Sequence, residues 1–439
     1  MDAIEERILR VIDQRAEDII GFAEETFHTA EAGFCEEHTA ARVAAFMQSL
    51  GLQTEEHLAV TGVRARIGRT DGPVACVIGE LDGIYCKDHP FSDRQTGMSH
   101  ACGHHMQLAV LLGAACALSD PQICASLDGA VDLLAVPAEE HVGTERRKCL
   151  MAAGKIHACC GKSELLCNGA LDNVDLALTT HAHMVPCDRE FLLGNPSSNG
   201  YISKTIRLLG KASHAAIAPH EGVNALDAAS LGFSALGMLR STFREEDYVR
   251  AHFIMTKGGT ATNVVPDEVV IEGQVRAKTM EAMRGASEKV NRAFQAGAYA
   301  FGARAEVIDE QGYLPVRYLV AVPAQIEAAK LLQPEADFET VTPFMHNAAC
   351  TDVGDLTHVL PVVNFSMGGF TGSLHSADFT VTDANQAYIL PAKLMALTVY
   401  QLLKDGAKQA RAVMANFQPV FTRAEYRDYV EAFYRTQEP

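Results

Sequence analysis

VACVIGELD, residues 74–82, is an unbroken apolar run that closes on Glu80 and Asp82. A strand covered on both faces reads this way, because both alternating sets of side chains meet core rather than water. The chain then passes through a loop rich in Asp, Pro and Gly to HACGHHMQ (100–107). The apolar stretch that follows predicts a helix over about 106–118. Outward from there the alternation repeats: VDLLAV (131–136) ends in PAEE, VDLALTT (174–180) ends in HAHM, and VVNFSM (362–367) follows much later. Helical periodicity covers roughly the first 30 residues and 37–50, and returns near 385–405. Strands alternating with helices predict an α/β domain with a mixed, mostly parallel sheet.

From Tyr201 the pattern changes. Strands are expected at 201–209, 249–257, 268–278 and 304–312, with helices at about 223–243 and 280–301. That order, β-α-β-β-α-β, is the ferredoxin-like unit. It places an inserted domain at 198–312, flanked by 1–197 and 313–439 as the two parts of the first domain.

Bulk properties agree with this size and exclude some functions. A chain of 439 residues exceeds one ordinary core. Apolar residues make up 48% and charged residues 21%, as in soluble globular proteins. The net charge of -18 argues against binding a phosphate backbone. The longest apolar stretch, 108–118, is too short to span a bilayer. MDAIEERILRVIDQRAEDII mixes acids and bases and lacks the pattern of a signal peptide. Twelve cysteines without regular spacing suggest reduced thiols and a cytoplasmic location.

Chemistry-bearing residues gather at strand ends, where ligands bind in open α/β sheets. Cys102 and His104 flank Gly103, whose freedom lets the backbone fold so that both side chains aim at one point. Glu139 and Glu140 are adjacent after a strand, so a turn there would send one to a metal and the other to substrate. His181 ends the third strand, and His375 lies on the late loop GSLHSADF.

Together these pieces resemble the dinuclear metallopeptidase family of aminoacylase and carboxypeptidase G, in the branch of auxin-amino-acid-conjugate and aminobenzoyl-glutamate hydrolases. The resemblance runs through HACGH (100–104), PAEE (137–140), His181, GKASHAAIAP (210–219), TNVVP (262–266), CTDVGD (350–355) and LHSADF (374–379). It implies a metal-binding catalytic domain from 1–197 and 313–439, and a lid or dimerisation domain at 198–312. It implies two divalent ions per subunit, Zn2+ or Mn2+ with Co2+ admissible, held by Cys102, His104, Glu140, His181 and His375. Glu139 would be the general base that takes a proton from water activated by the metals and passes it to the leaving nitrogen. His214 would stabilise the oxyanion, across a dimer or by domain closure. Asn263 and Arg276 would contact a substrate carboxylate, a task that suits the planar guanidinium fork. The implied reaction is hydrolysis of the amide bond of a small N-acyl amino acid, an aminobenzoyl-glutamate-like compound or a dipeptide. The partners are that small molecule and a second copy of the chain, as a homodimer or higher homo-oligomer, with no nucleic acid and no membrane. Carbamoyl hydrolysis by the same machinery is one alternative. A metal-containing scaffold without turnover is another, against which the presence of Glu139 speaks.

Two residues depart from the family pattern. His105 stands where many relatives have Asp or Asn, and Gln107 where some have His. Glu80 and Asp82 fall where other branches carry a metal-binding His and a bridging Asp; in the cysteine-bearing branch neither is expected to bind metal directly, and Asp82 is expected no nearer than behind the ligands. Each residue also has a plain reading: a buried thiol for Cys102, a solvated acidic pair for Glu139 and Glu140, and a loop histidine for His375. His181 and His183 compete for one role, which family spacing gives to His181. His214 could simply pack in the inserted domain, Asn263 could serve a turn, and Arg276 could be half of a surface ion pair.

Overall fold

Apolar runs that leave no polar face can only be satisfied inside a sheet covered on both sides, and the chain folds accordingly. The computed structural model describes residues 1–183, 191–333 and 338–433. It divides into two compact units. The first comprises Met1–Pro196, Arg317–Met345 and Asp355–Arg427; the second comprises Ser197–Val316, His346–Gly354 and the chain from Asp428. The short segment 346–354 lies in the second unit because His346–Asn347 pairs in parallel with Ser197–Ser198.

In the first unit eight of the described strands form one sheet. Its order is Thr54–Leu58, Gly62–Gly68, Ala130–Val136, Val74–Glu80, Leu176–Ala182, Val362–Met367, Phe191–Leu193, Glu339–Thr340. The four central strands run parallel, and Val74–Glu80, Ala130–Val136 and Val362–Met367 are buried throughout. Two elements differ from expectation. The amphipathic N-terminus is two helices, Ala3–Gln14 and Ala16–Phe27, because Arg15 leaves helical geometry at φ -105°, ψ 8°. The antiparallel hairpin Thr54–Leu58 and Gly62–Gly68 was not legible. Its outer strand, TEEHL, is an edge, and edges carry charge instead of an apolar run.

Helix His104–Leu118 is buried on every side. It packs against Ala3–Gln14, Ala16–Phe27 and Leu390–Leu403 as well as the sheet, which is why its sequence lacks amphipathic periodicity. A helix fixed so firmly at its body holds its first turn, with His104, rigidly at the sheet's carboxyl edge.

The second unit has the predicted β-α-β-β-α-β order. Its antiparallel sheet runs Arg250–Lys257, Glu268–Ala277, Gly200–Leu209, Arg304–Gln311, with Tyr201 opposite Arg276. Helices Ala225–Leu239 and Met280–Phe301 close over a core that includes Ile206, Leu208, Val269, Ile271, Val290 and Phe294. Arg250–Lys257 is an edge strand with mostly exposed side chains. Among the described residues, no helix is long and apolar enough to cross a membrane, and every described cysteine is free.

Candidate metal centre

Three sheet strands deliver their carboxyl ends to one place. Glu80 ends the central strand opposite Val136, so PAEE (137–140) emerges beside it. His181 lies one strand over, opposite Ser366. Gly103 turns the chain at φ 89° just ahead of helix His104–Leu118. A Cβ there would lie 2.9 Å from that of Ala182, so the site needs glycine for both conformation and space.

The turn that separates the two glutamates is built on Ala138, which adopts a left-handed φ of 54°. Such a conformation costs a non-glycine residue energy and persists only where neighbours impose it. Here Glu36 does so: its Oε1 accepts the Ala138 N–H at 2.7 Å, and its Oε2 accepts the Thr61 hydroxyl at 2.6 Å. The side chains of Glu139 and Glu140 then part company. Glu140 Oε1 sits 3.1 Å from His375 Nε2, while Glu139 Oε2 lies 3.9 Å from His104 Nε2.

Cys102 occupies the middle. Its Sγ is 3.3 Å from His375 Nε2 and 3.6 Å from His181 Nε2. Two sets of donor atoms share it, Cys102–His104–His181 and Cys102–Glu140–His375, each lying within 4.8 Å of one another. The structure thus brings together Cys102, His104, Glu139, Glu140, His181 and His375. His375 is held by its own backbone, at φ 64° with its N–H on the Ala101 carbonyl.

The electrostatics suit cations. Burial, and then the Glu140 carboxylate, push the Cys102 thiol well above its ordinary range. A coordinated divalent ion would reverse this, since it deprotonates a thiol outright. Burial works against protonation of His104, yet Glu80 and Cys102 raise it well above a normal imidazole. Burial lowers His181. Buried acids and sulfur this close repel one another unless positive charge sits among them. His104 Nε2 and Glu140 Oε1 are buried without a hydrogen bond, although each lies near an oppositely charged partner. Donor atoms of N, O and S converging on one point fit a pair of divalent ions. The orientation of His104 agrees, since Nδ1 meets the Asp82 carbonyl at 2.8 Å and leaves Nε2 toward the cluster.

Asp82 stands behind the ligands. Its Oδ2 accepts the Glu140 N–H at 2.8 Å. Glu80, which is not expected from the resemblance to bind metal directly, lies in the cluster itself, with Oε2 3.1 Å from His104 Nε2. Gln107 donates to the same oxygen at 2.6 Å, and the fully buried Lys162 ammonium binds the other. Burial alone would raise Glu80, but the Lys162 and His104 charges bring it down to about 2. Lys162 and Glu36 carried no readable signal, because both come from segments remote in sequence. Gly161 is the nearest thing to one: a Cβ there would lie 1.8 Å from the Pro137 carbonyl oxygen, so only glycine lets Lys162 approach. His105 does not enter the cluster. It stacks on Phe27 at 4.5 Å, and burial holds it well below a normal imidazole.

The remaining expected residues lie in the second unit. His214 is exposed and its Nδ1 accepts the Ala216 and Ile217 N–H groups, both at 3.2 Å. The proton therefore resides on Nε2, which is left as a donor. Asn263 is adjacent, its carbonyl accepting the Ala215 N–H. Arg276 donates through Nε and Nη2 to Gln274 Oε1 and lies over the Tyr201 ring.

The chain is similar in sequence and fold to known proteins. Residues 197–301 match the family model of a peptidase dimerisation domain. The Xaa-Arg dipeptidase of Mus musculus is 29% identical over 326 residues, spanning 71% of this chain and 68% of the mouse protein. An N-acyl-L-amino acid amidohydrolase of Geobacillus stearothermophilus is 28% identical, over 71% of this chain and 80% of its own. Among solved structures, the Bacillus subtilis YXEP protein, a dinuclear metal binding peptidase of the M20 family, superposes with a TM-score of 0.64. It shares 24% identity and covers 88% of this chain and 98% of its own.

Proposed function

From the premise that this chain is a relative of the dinuclear metallopeptidases and amidohydrolases, we propose that it hydrolyses an amide bond in a small N-acyl amino acid, an aminobenzoyl-glutamate-like compound or a dipeptide. Cys102, His104, Glu140, His181 and His375 would hold two divalent ions, Zn2+ or Mn2+ with Co2+ also accommodated. When bound, such ions make water acidic enough to serve as a nucleophile near neutral pH and polarise a carbonyl.

The chain's own groups then manage the protons and the charge. Glu139 takes a proton from the attacking water and returns it to the leaving nitrogen, so that the amine departs neutral. His214 donates from Nε2 to the oxygen that becomes negative. Asn263 and Arg276 take the substrate carboxylate. Because Arg276 already rests on Gln274, capture of a carboxylate exchanges one acceptor for a charged and stronger one. In this reading the first domain, expected at 1–197 with 313–439, is catalytic, and the inserted one, expected at 198–312, is the lid or dimerisation domain of a homodimer.

The observation that carries this reading is the sharing of the Cys102 sulfur by two donor sets, with Glu139 beside them. A hydrolysis screen tests it, run on metal-depleted protein restored separately with Zn2+, Mn2+ and Co2+. Acyl-amino acids, aminobenzoyl-glutamate and β-alanyl dipeptides are offered in parallel with N-carbamoyl amino acids. Turnover of one of the first three classes is expected. Turnover of carbamoyl compounds alone, or metal binding with no turnover of any, would overturn the assignment.

A further inference from the structure

The five expected ligands leave one buried donor at the cluster unexplained. Glu80 ends the central strand with its side chain 4% exposed, and its two oxygens have different surroundings. Lys162 engages Oε1. Gln107 engages Oε2 at 2.6 Å, and that oxygen keeps a second lone pair. The same oxygen is 3.1 Å from His104 Nε2, a nitrogen that is buried and makes no hydrogen bond. Glu139 joins them, the three donor atoms lying within 4.8 Å of one another.

Two ligand atoms each about 2.1 Å from one ion, at angles from octahedral to tetrahedral, are separated by roughly 3.0–3.4 Å. The distance between Glu80 and His104 falls in that range, and Nε2 makes no hydrogen bond. A carboxylate serving merely as counter-ion to Lys162 has no need of a second polar side chain to fix its other oxygen. Gln107 does fix it, turning the remaining lone pair toward the cluster.

We propose that Glu80 is a sixth protein ligand, binding through Oε2 the ion that His104 holds, with Lys162 and Gln107 as the positioning residues that orient it. The inference rests on the two-metal reading above and adds a donor to it. An added carboxylate makes that position the harder of the two and favours Mn2+ or Co2+ over softer ions there.

The test is binding of Co2+ to the metal-depleted full-length chain, followed by calorimetry and visible absorption. Wild type is compared with Glu80→Gln and with Glu80→Gln/Lys162→Met, the latter removing both buried charges so that the fold is spared. Wild type is expected to take two ions. In the variants one of the two should bind at least tenfold more weakly, with altered cobalt bands, while the other is unchanged. Two unchanged affinities and an unchanged spectrum in a folded variant would overturn the proposal and leave the two-metal reading intact. A folded wild type that takes up no metal would overturn both.

Discussion

At the residue scale, two glutamates at the centre do different work because their surroundings differ. Glu139 lies beside the donor cluster and is the proposed proton carrier, a role worth roughly 100- to 10,000-fold in rate. Replacing it with Gln should lower kcat by that order while metal content, measured by elemental analysis, stays at the wild-type value. A variant with normal turnover would show that another group is the base. Glu36 is the contrasting case: burial and then the Asp82 charge raise its carboxyl to about 8. An unfolded glutamate titrates near 4.3, so between about pH 4.5 and 8 the folded state binds the additional proton. Stability therefore falls as pH rises through that window. Glu36→Gln keeps the acceptor for Ala138 and removes the ionisation. Its melting temperature should gain on wild type progressively from pH 5 to pH 8, and an equal difference at both ends would refute the assignment. The proposed ligands stood out in sequence as Cys, His and Glu beside glycine and proline. Lys162 and Glu36 did not, because a charged residue gives no sign of being buried until its partner is known.

At the scale of elements, the site depends on how strands hand over to turns. HACGHH could be read as a strand-to-helix junction because glycine sits between two potential ligands. The structure gives Gly103 a left-handed φ and no room for a Cβ beside Ala182. Gly103→Ala should cost about 1–3 kcal/mol of stability and reduce bound metal, since Cys102 and His104 would no longer aim at one point. Chemical denaturation and metal analysis check both parts, and a stable variant with full metal would count against this account of the turn. The central strands and both domain patterns were legible from apolar runs. The hairpin at 54–68 was not, because a charged edge strand resembles a loop until its neighbour in the sheet is seen.

For the molecule as a whole, metal and self-association are expected to couple to stability and activity. An ion at about a hundred times its dissociation constant adds about 2.7 kcal/mol to the folded state. Chelation should therefore lower the melting temperature by several degrees, and Zn2+, Mn2+ or Co2+ should restore it. An unaltered melting curve after verified metal removal would separate the cluster from stability. The second unit exposes Ile254 at 56% and Met255 at 36% on its edge strand, and Met238 at 78% on helix Ala225–Leu239. An exposed strand edge with apolar neighbours is a template for pairing with a second copy. Ile254→Glu should shift the chain from dimer to monomer in sedimentation and weaken catalysis. A monomeric wild type with full turnover would dismiss the dimer from the mechanism.

The sequence alone determined which segments must be buried on both faces, where the pattern switches to an antiparallel insertion, and which metal-type side chains stand at strand ends. These are local matters of period and chemistry. Tertiary structure decided which charges meet. It set Glu80 against His104, Lys162 and Gln107, turned Glu139 and Glu140 to different neighbours through a backbone held by Glu36, and withdrew His105 to an aromatic stack. The physical reason is that the energy of a buried charge belongs to pairs of groups. Those pairs form across sequence separations that no periodicity records.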